Sequence, residues 1–352
     1  MNNIHKGMNM LTLIKRGILF LSLFLLAIVA QADDVLKFSE RYYAKITEDE
    51  TIQVYERKRP KKPIITVEQI GISVVRHTSN PLIYKDFNFD GKNDLAIVDS
   101  QYICHGGSSY QVYLANNKGG FTHNPEFTRL AQEYCGFFNA DAKTKTIKVH
   151  VEIGWQCWLF ETYDVVGGNK LRRIYSLTED EGFSLNFSEY TIIKGSGKNA
   201  KKTIRYTLNK TQAILPPLFQ FRLQSAPHKK VALLHDRRAV ENFQYATYVD
   251  YALLNGKDDR VEYSYELAAK GKLPPSKMYR DHTLTFDAEN NSVCFGIGDT
   301  NYTVIDQPKR LGVRVKQGKR VTFLAGDPET RIGDLANIHA ADNVTPGSCP
   351  LK

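Results

Sequence analysis

The chain has 352 residues, of which 42% are hydrophobic, 24% are charged and 11% are aromatic. This composition matches folded globular proteins, and it excludes a disordered chain, a collagen-like repeat and a membrane protein with many spans. The formal net charge is +9, but no basic stretch is interleaved with aromatic residues as in nucleic-acid-binding surfaces. Nucleic acid is therefore not an expected partner.

Residues 1–32 have the pattern of a cleaved signal peptide. Lys6, Lys15 and Arg16 precede the apolar run Gly17–Ala30, and Ala30-Gln31-Ala32 supplies a small-residue cleavage pattern. The run is shorter than the roughly 20 apolar residues that a membrane-spanning helix needs. We therefore expect no membrane span and export to the periplasm of a Gram-negative bacterium, with secretion as the alternative.

The charge distribution predicts two domains after the signal peptide. Residues 33–182 carry 19 Lys and Arg against 21 Asp and Glu, a net charge of −2. Residues 183–352 carry 25 against 17, a net charge of +8. We therefore expect one domain over residues 33–182 and a basic second domain over residues 183–352.

Short apolar and β-branched runs bounded by Gly, Asn, Asp or Pro recur along both predicted domains, and they indicate an all-β fold with few short helices. Ile147, Val149 and Val151 alternate with polar residues, as in a strand with one buried face. A short helix is predicted near Pro125–Tyr134, with Asn124 as its N-cap. Residues 237–255 could hold a second helix, although their periodicity is mixed.

The segment Asp86–Asp94 reads D-x-N-x-D-G-x-x-D and predicts a calcium loop. The expected ligands are the side chains of Asp86, Asn88, Asp90 and Asp94 and the backbone carbonyl of Lys92, and Gly91 permits the sharp turn. Such hard oxygen donors suit Ca²⁺ better than zinc or copper. The loop is not an EF-hand, because Ile97 stands where the bidentate Glu would be. We expect a structural calcium ion, with a solvated turn as the alternative.

Asp86–Val98 resembles the calcium loop of FG-GAP, integrin-type β-propeller blades. The longer stretch Asp86–Asp180 includes the segment Cys104–Leu114, the sequence Tyr134-Cys135 and the sequence Cys157-Trp158. It is similar to a family of exported bacterial proteins that includes a propeller-like periplasmic immunity protein against a peptidoglycan hydrolase. The resemblance implies a propeller-like calcium-loop domain, followed by a second β-rich domain, and an inhibitor of a peptidoglycan hydrolase.

Partner contacts are expected in the glycine-rich loop His105, Gly106, Gly107, Ser108 and Ser109. Trp155-Gln156-Cys157-Trp158 is read as a buried strand end pinned by a disulfide rather than as an interface, since Trp is usually well buried. A structural or glycan-binding envelope protein that uses this Trp region is the alternative function. The oligomeric state is left open.

All five cysteines follow the predicted signal peptide, so disulfides are expected. Position along the chain suggests a bond between Cys294 and Cys349. Two of Cys104, Cys135 and Cys157 would form the other bond, with Cys104–Cys135 favoured, and one thiol would stay free.

An enzyme is not expected. The histidines are scattered without metal-ligand spacing, and His105-Gly106-Gly107 has no accompanying G-x-S-x-G elbow. Glu152 and Glu161 are read as ordinary outward-facing strand residues, although paired carboxylates for glycoside hydrolysis stay open in any β fold. An uncharacterised cell-wall hydrolase is therefore the third functional hypothesis.

Overall fold

The computed structural model describes residues 34–68, 80–104, 107–134, 136–181, 186–209, 216–239, 245–264 and 283–351. The predicted signal peptide lies outside these ranges, and so does Ile72–Val75, one of the apolar runs that the sequence predicts to be strands. The described residues are mostly β-strand, which confirms the all-β class. In the same ranges, no helix is long and apolar enough to cross a membrane.

The chain divides into two compact units, Met1–Phe137 and Phe138–Lys352. The sequence placed the boundary near residue 182 instead. Strands Lys170–Asp180 and Phe187–Lys194, on either side of that position, are antiparallel neighbours in one sheet. The change of net charge there marks a change of surface composition within one unit, not a boundary between units.

The described part of the first unit contains two four-stranded sheets, each with its strands in chain order. Four-stranded antiparallel sheets are also the form of propeller blades. The strands of the first sheet are β1 (Asp34–Lys37), β2 (Tyr42–Ile46), β3 (Ile52–Glu56) and β4 (Ile65–Val67), and those of the second are β5 (Leu82–Lys85), β6 (Asp94–Cys104), β7 (Gly107–Ala115) and β8 (Phe121–His123).

Strand β6 is buried on both faces. Leu95, Ala96, Ile97 and Val98 are consecutive and fully buried, and successive strand residues point to opposite faces. The apolar run in the sequence therefore marks a central strand of the core. This strand begins at Asp94, the last residue of the predicted calcium loop.

Helix α1 (Pro125–Glu133) confirms the predicted helix and its cap. The Asn124 side chain accepts hydrogen bonds from the backbone N–H groups of Glu126 and Phe127, at 3.0 and 3.1 Å. The Thr128 hydroxyl accepts a bond from the Val112 N–H at 2.9 Å. This bond fixes the helix on β7.

The described strands of the second unit form one sixteen-stranded sheet, in which the pair β19–β24 is parallel and the other pairs are antiparallel. Its order is β24-β19-β20-β21-β22-β23-β15-β16-β17-β18-β14-β13-β12-β11-β10-β9. The strands are β9 (Asn139–Asp141), β10 (Thr146–Gly154), β11 (Cys157–Val166), β12 (Lys170–Asp180), β13 (Phe187–Lys194), β14 (Lys201–Leu208), β15 (Phe219–Leu223), β16 (Ala226–Ala239), β17 (Tyr245–Asn255), β18 (Arg260–Ser264), β19 (Leu284–Asp287), β20 (Ser292–Ile297), β21 (Thr300–Gln307), β22 (Arg310–Gln317), β23 (Arg320–Gly333) and β24 (Val344–Pro346).

Strand β16 supports a hydrophobic cluster on each of its faces. Val231 and Leu233 belong to a cluster with Phe219, while Ala232 and Leu234 belong to a cluster with Phe187. The two sets alternate along the strand, as the two-residue period of a strand requires.

The helix considered for residues 237–255 is wrong. Strand β17 occupies Tyr245–Asn255 and pairs with β16 along its whole length. The mixed periodicity arises because the two faces of β17 pack against different clusters: Val249 and Tyr251 face one, and Ala252 and Leu254 face the other.

Candidate metal centre

The predicted calcium loop connects β5 to β6 and forms a network of hydrogen bonds to its own backbone. Asp86 accepts bonds from the N–H groups of Asp90 at 3.2 Å and Gly91 at 2.9 Å. Asn88 Oδ1 accepts a bond from the same Asp90 N–H at 3.3 Å, and Asp90 Oδ1 accepts one from the Lys92 N–H at 2.9 Å. Asp86 and Asn88 share one donor, so their side-chain oxygens lie close together.

Two residues of the loop have left-handed backbone conformations. Phe89 has φ of 62° and Gly91 has φ of 84°. A Cβ on Gly91 would meet no atom within 4 Å, so glycine is favoured here by its backbone conformation and not by lack of space. Gly91 thus has the role that the sequence predicted for it.

Asp94 joins the loop to the core. Its side chain is fully buried and accepts hydrogen bonds from the backbone N–H groups of Phe87 at 2.8 Å, Asn88 at 3.3 Å and Ala115 at 2.8 Å. One carboxylate therefore ties the start of the loop to β6 and to the end of β7.

Burial is the main reason that the pKa of Asp94 is raised to about 6, and the negative charge of Asp86 acts in the same direction. The three N–H donors act in the opposite direction. A cation bound at the loop would offset both the burial and the repulsion, because it favours the ionised carboxylate.

The residues of the loop fit calcium by their chemistry. A carboxylate has two oxygens and about four lone-pair positions, so positions for a metal remain beside the N–H groups already bound. The side chain of Lys92 donates to Asn117 Oδ1 at 2.7 Å, and its Nζ is 4.0 Å from Asp90 Oδ2. In the described ranges, no three His, Cys, Asp or Glu side chains are drawn together as a metal cluster. The described loop is therefore organised by hydrogen bonds, and calcium stays a prediction.

The predicted partner loop is only partly described, since His105 and Gly106 lie outside the described residues. Gly107 is exposed and Ser108 is half-buried. Ser109 is buried, and its hydroxyl donates to Asp99 Oδ1 at 2.5 Å. Ser109 is therefore a buried residue, contrary to the predicted contact role, because its hydroxyl is bonded to the buried carboxylate of Asp99.

The disulfide Cys294–Cys349 is present, with a Cα–Cα distance of 5.7 Å, and confirms that pairing. Cys135 lies outside the described residues, so the pairing of Cys104 with Cys135 stays a prediction. Cys157 is a free, half-buried thiol. Burial, together with the negative charges of Asp180 and Glu189, raises its pKa.

The expectation of a buried, disulfide-pinned Trp segment is wrong. Trp155 is 77% exposed and Trp158 is 37% exposed, and Cys157 between them carries no disulfide. The physical reason is the turn between β10 and β11, which places Trp155 outside both strands. Gly154 just before Trp155 is the signal in the sequence that indicates this turn.

Glu161 is also placed differently from the prediction. It is only 3% exposed, whereas it was read as an outward-facing strand residue. Its carboxylate accepts bonds from the Tyr163 hydroxyl at 2.5 Å and from Arg173 Nη1 at 2.6 Å. Arg173 therefore compensates the charge of Glu161, and the two residues form a structural ion pair. Glu152 is exposed, as predicted.

No protein-family model matches the chain, and no curated protein matches it. One solved structure, described as "Structure of a Xanthomonas Type IV Secretion System related protein", is 20% identical. The match covers 49% of this chain and 86% of that chain, with a TM-score of 0.35. A similarity at this level carries no argument about fold or function.

Proposed function

We propose that this protein is a non-enzymatic, exported calcium-binding protein that binds and inhibits a peptidoglycan hydrolase. The Asp86–Asp94 loop carries the proposal, because its carboxylate and amide oxygens follow the spacing of a calcium loop and the loop leads into β6, which is buried on both faces. The resemblance of residues 86–180 to periplasmic immunity proteins supports the choice of partner.

The proposed calcium ion has a structural role. Asp86, Asn88, Asp90, Asp94 and the carbonyl of Lys92 would hold it. The ion would compensate three carboxylates that lie within nine residues, one of them fully buried. Since Asp94 also binds the N–H of Ala115, a fixed Asp94 would stabilise the pairing of β5, β6 and β7.

A peptidoglycan-clearing assay tests the inhibitor proposal. The purified protein would be added, with calcium, to a panel of lysozymes and lytic hydrolases. We expect it to suppress clearing by at least one of them, and to cause none without a hydrolase. Clearing by the protein alone would show the third hypothesis, a cell-wall hydrolase, to be correct. No suppression of any hydrolase would contradict the inhibitor proposal.

A glycan-binding envelope protein is the second candidate, and the exposure of Trp155 and Trp158 favours it. An exposed indole can pack flat against a sugar ring. In that case the protein would sediment with purified sacculi without affecting any hydrolase. Loss of sedimentation in a Trp155→Ala variant would assign the binding to this region.

A further inference from the structure

The turn between β10 and β11 presents an exposed apolar surface. Ile153 is 53% exposed, Trp155 is 77% exposed and Trp158 is 37% exposed. We call these three residues the Trp155 surface. Single exposed apolar residues are normal in soluble proteins, but here three exposed apolar residues lie within six positions around one turn, a concentration that is found at interaction sites. Both tryptophans of the chain belong to it.

The backbone around the Trp155 surface is held in one conformation. Gln156, at the turn, has φ of 56°, and its carbonyl accepts a bond from the Glu181 N–H at 2.9 Å. This bond ties the turn to the end of β12. A surface that is ordered before binding loses less conformational entropy in a complex.

Carboxylates flank Trp158 on both neighbouring strands. Glu152 on β10 and Glu179 on β12 lie directly opposite Trp158, so all three side chains share one face of the sheet. Directly opposite residues have Cβ atoms about 4.5–5.5 Å apart. Glu179 also binds the Tyr190 hydroxyl. Within the described part of the chain, neither glutamate forms an ion pair.

Further negative charge lies on the other face of the same sheet. Asp180 pairs with Cys157 across the strands and with Glu189 on β13. Residues 33–182, which contain the Trp155 surface, carry a net charge of −2, although the chain as a whole carries +9. Acidic side chains beside exposed aromatic residues would attract positive charge locally.

From this geometry we infer that the Trp155 surface is the docking surface for a cationic protein, and that an Arg or Lys of this partner lies against Trp158 between Glu152 and Glu179. Guanidinium and ammonium groups are attracted to indole faces and to carboxylates. Trp and Arg are also the residues that most often dominate the energy of protein interfaces. The inference rests on the proposed function in taking the partner to be a peptidoglycan hydrolase with a basic surface.

Direct binding to the immobilised hydrolases of the panel tests the inference, and it is measured separately from clearing. For a hydrolase that binds, we expect Trp155→Ala to weaken binding at least about 30-fold, the loss typical of a dominant interface tryptophan. We expect the double variant Glu152→Gln/Glu179→Gln to slow association and to reduce its dependence on salt.

Two matched variants serve as controls. Ile332 is 51% exposed and Glu329 is exposed, both on β23, which is eight strands away from β11 in the sheet. Ile332→Ala and Glu329→Gln should bind as the wild type does. Equal binding by Trp155→Ala and the wild type would overturn the inference.

Tryptophan fluorescence tests the inference even if no hydrolase of the panel binds. Absence of binding to the whole panel would reject the proposed function but not the inference. The emission arises only from Trp155 and Trp158, so it reports on this surface directly. We expect a saturable, salt-sensitive change of emission with a tryptophan-free hexa-arginine peptide, which Glu152→Gln/Glu179→Gln abolishes. No change with the peptide would overturn the inference. A change with oligomers of N-acetylglucosamine but not with the peptide would also overturn it, in favour of glycan binding.

Discussion

Asp94 shows how much of the first unit depends on one side chain. It accepts hydrogen bonds from two residues at the start of the loop and from the end of β7. It is buried, and its pKa is raised to about 6. Asp94 is a structural anchor as well as a proposed calcium ligand, so substitutions in the exposed part of the loop separate the two roles better.

Asp90→Asn is such a substitution. The amide oxygen can still accept the Lys92 N–H bond that Asp90 Oδ1 accepts at 2.9 Å, but one negative charge is lost. For a site with a dissociation constant of about 0.1–1 mM, 1 mM calcium should stabilise the wild type by about 0.4–1.4 kcal/mol. We expect thermal unfolding of the variant to show little of this calcium response. An equal response in variant and wild type would remove the site from this loop.

Two glycines in left-handed conformations allow the effect of steric crowding on stability to be measured separately from the effect of backbone conformation. A Cβ on Gly333 (φ 83°) would overlap the Leu218 carbonyl group, whereas a Cβ on Gly318 (φ 55°) would meet nothing within 4 Å. We expect Gly333→Ala to lower the free energy of unfolding by at least about 3 kcal/mol, because backbone atoms must move. Gly318→Ala should cost about 1–2 kcal/mol, the left-handed penalty alone. Denaturant unfolding of both variants measures the difference, and equal losses would contradict the packing at Gly333.

Thiol counting tests the cysteine pattern. Cys294 and Cys349 are bonded and Cys157 is free. If Cys104 pairs with Cys135, the denatured, unreduced protein has one reactive thiol, and Cys157→Ser has none. A count of three thiols would show that Cys104 and Cys135 are not bonded.

At the scale of elements, the disulfide joins β20 to the chain that follows β24. It closes a loop with a sequence separation of 55 residues. The replacement Cys294→Ala/Cys349→Ala should lower the free energy of unfolding by about 2–5 kcal/mol. Denaturant unfolding measures this loss, and reduction of the wild type should reproduce it. Unchanged stability in both cases would show that the bond does not constrain the unfolded chain.

The local elements could be predicted from the sequence where the signal is local. Asn124 and Pro125 mark the start of α1, and alternation marks β10. The exposure of Trp155 and the burial of Glu161 could not be predicted in the same way. The first depends on the position of a turn, and the second on Arg173, which comes next to Glu161 only through the pairing of β11 with β12.

At the scale of the whole molecule, the class of the fold was predictable and its division was not. Strand runs and turn residues repeat along the chain, so the all-β class follows from composition and pattern. The boundary at Phe137 depends on which strands pair, and net charge reports only on surfaces. The candidate metal loop is a contiguous motif, which is why its residues could be identified before its geometry was known.

The proposed calcium ion and the disulfide Cys294–Cys349 belong to different units, and hydrogen exchange should distinguish their effects. Chelation of calcium should speed amide exchange around Leu95–Val98 in β6, next to the proposed ligand Asp94. Reduction of Cys294–Cys349 should instead speed exchange in β19, β20 and β24. Exchange that rises equally in both units under either treatment would contradict this separation.

The pairing of β15 determines how long one edge of this strand stays unpaired while the chain emerges. Its first neighbour, β16, follows it directly, but its second neighbour, β23, begins only at Arg320. In a chain that emerges N-terminus first, Phe219 and Phe221 therefore lie on a strand with one unpaired edge until residues Arg320–Gly333 have also emerged. Open strand edges pair readily with other chains and lead to aggregation. We expect the yield of folded protein to depend on a chaperone that binds the incomplete chain during this interval. This dependence should be weakest when translocation is fast.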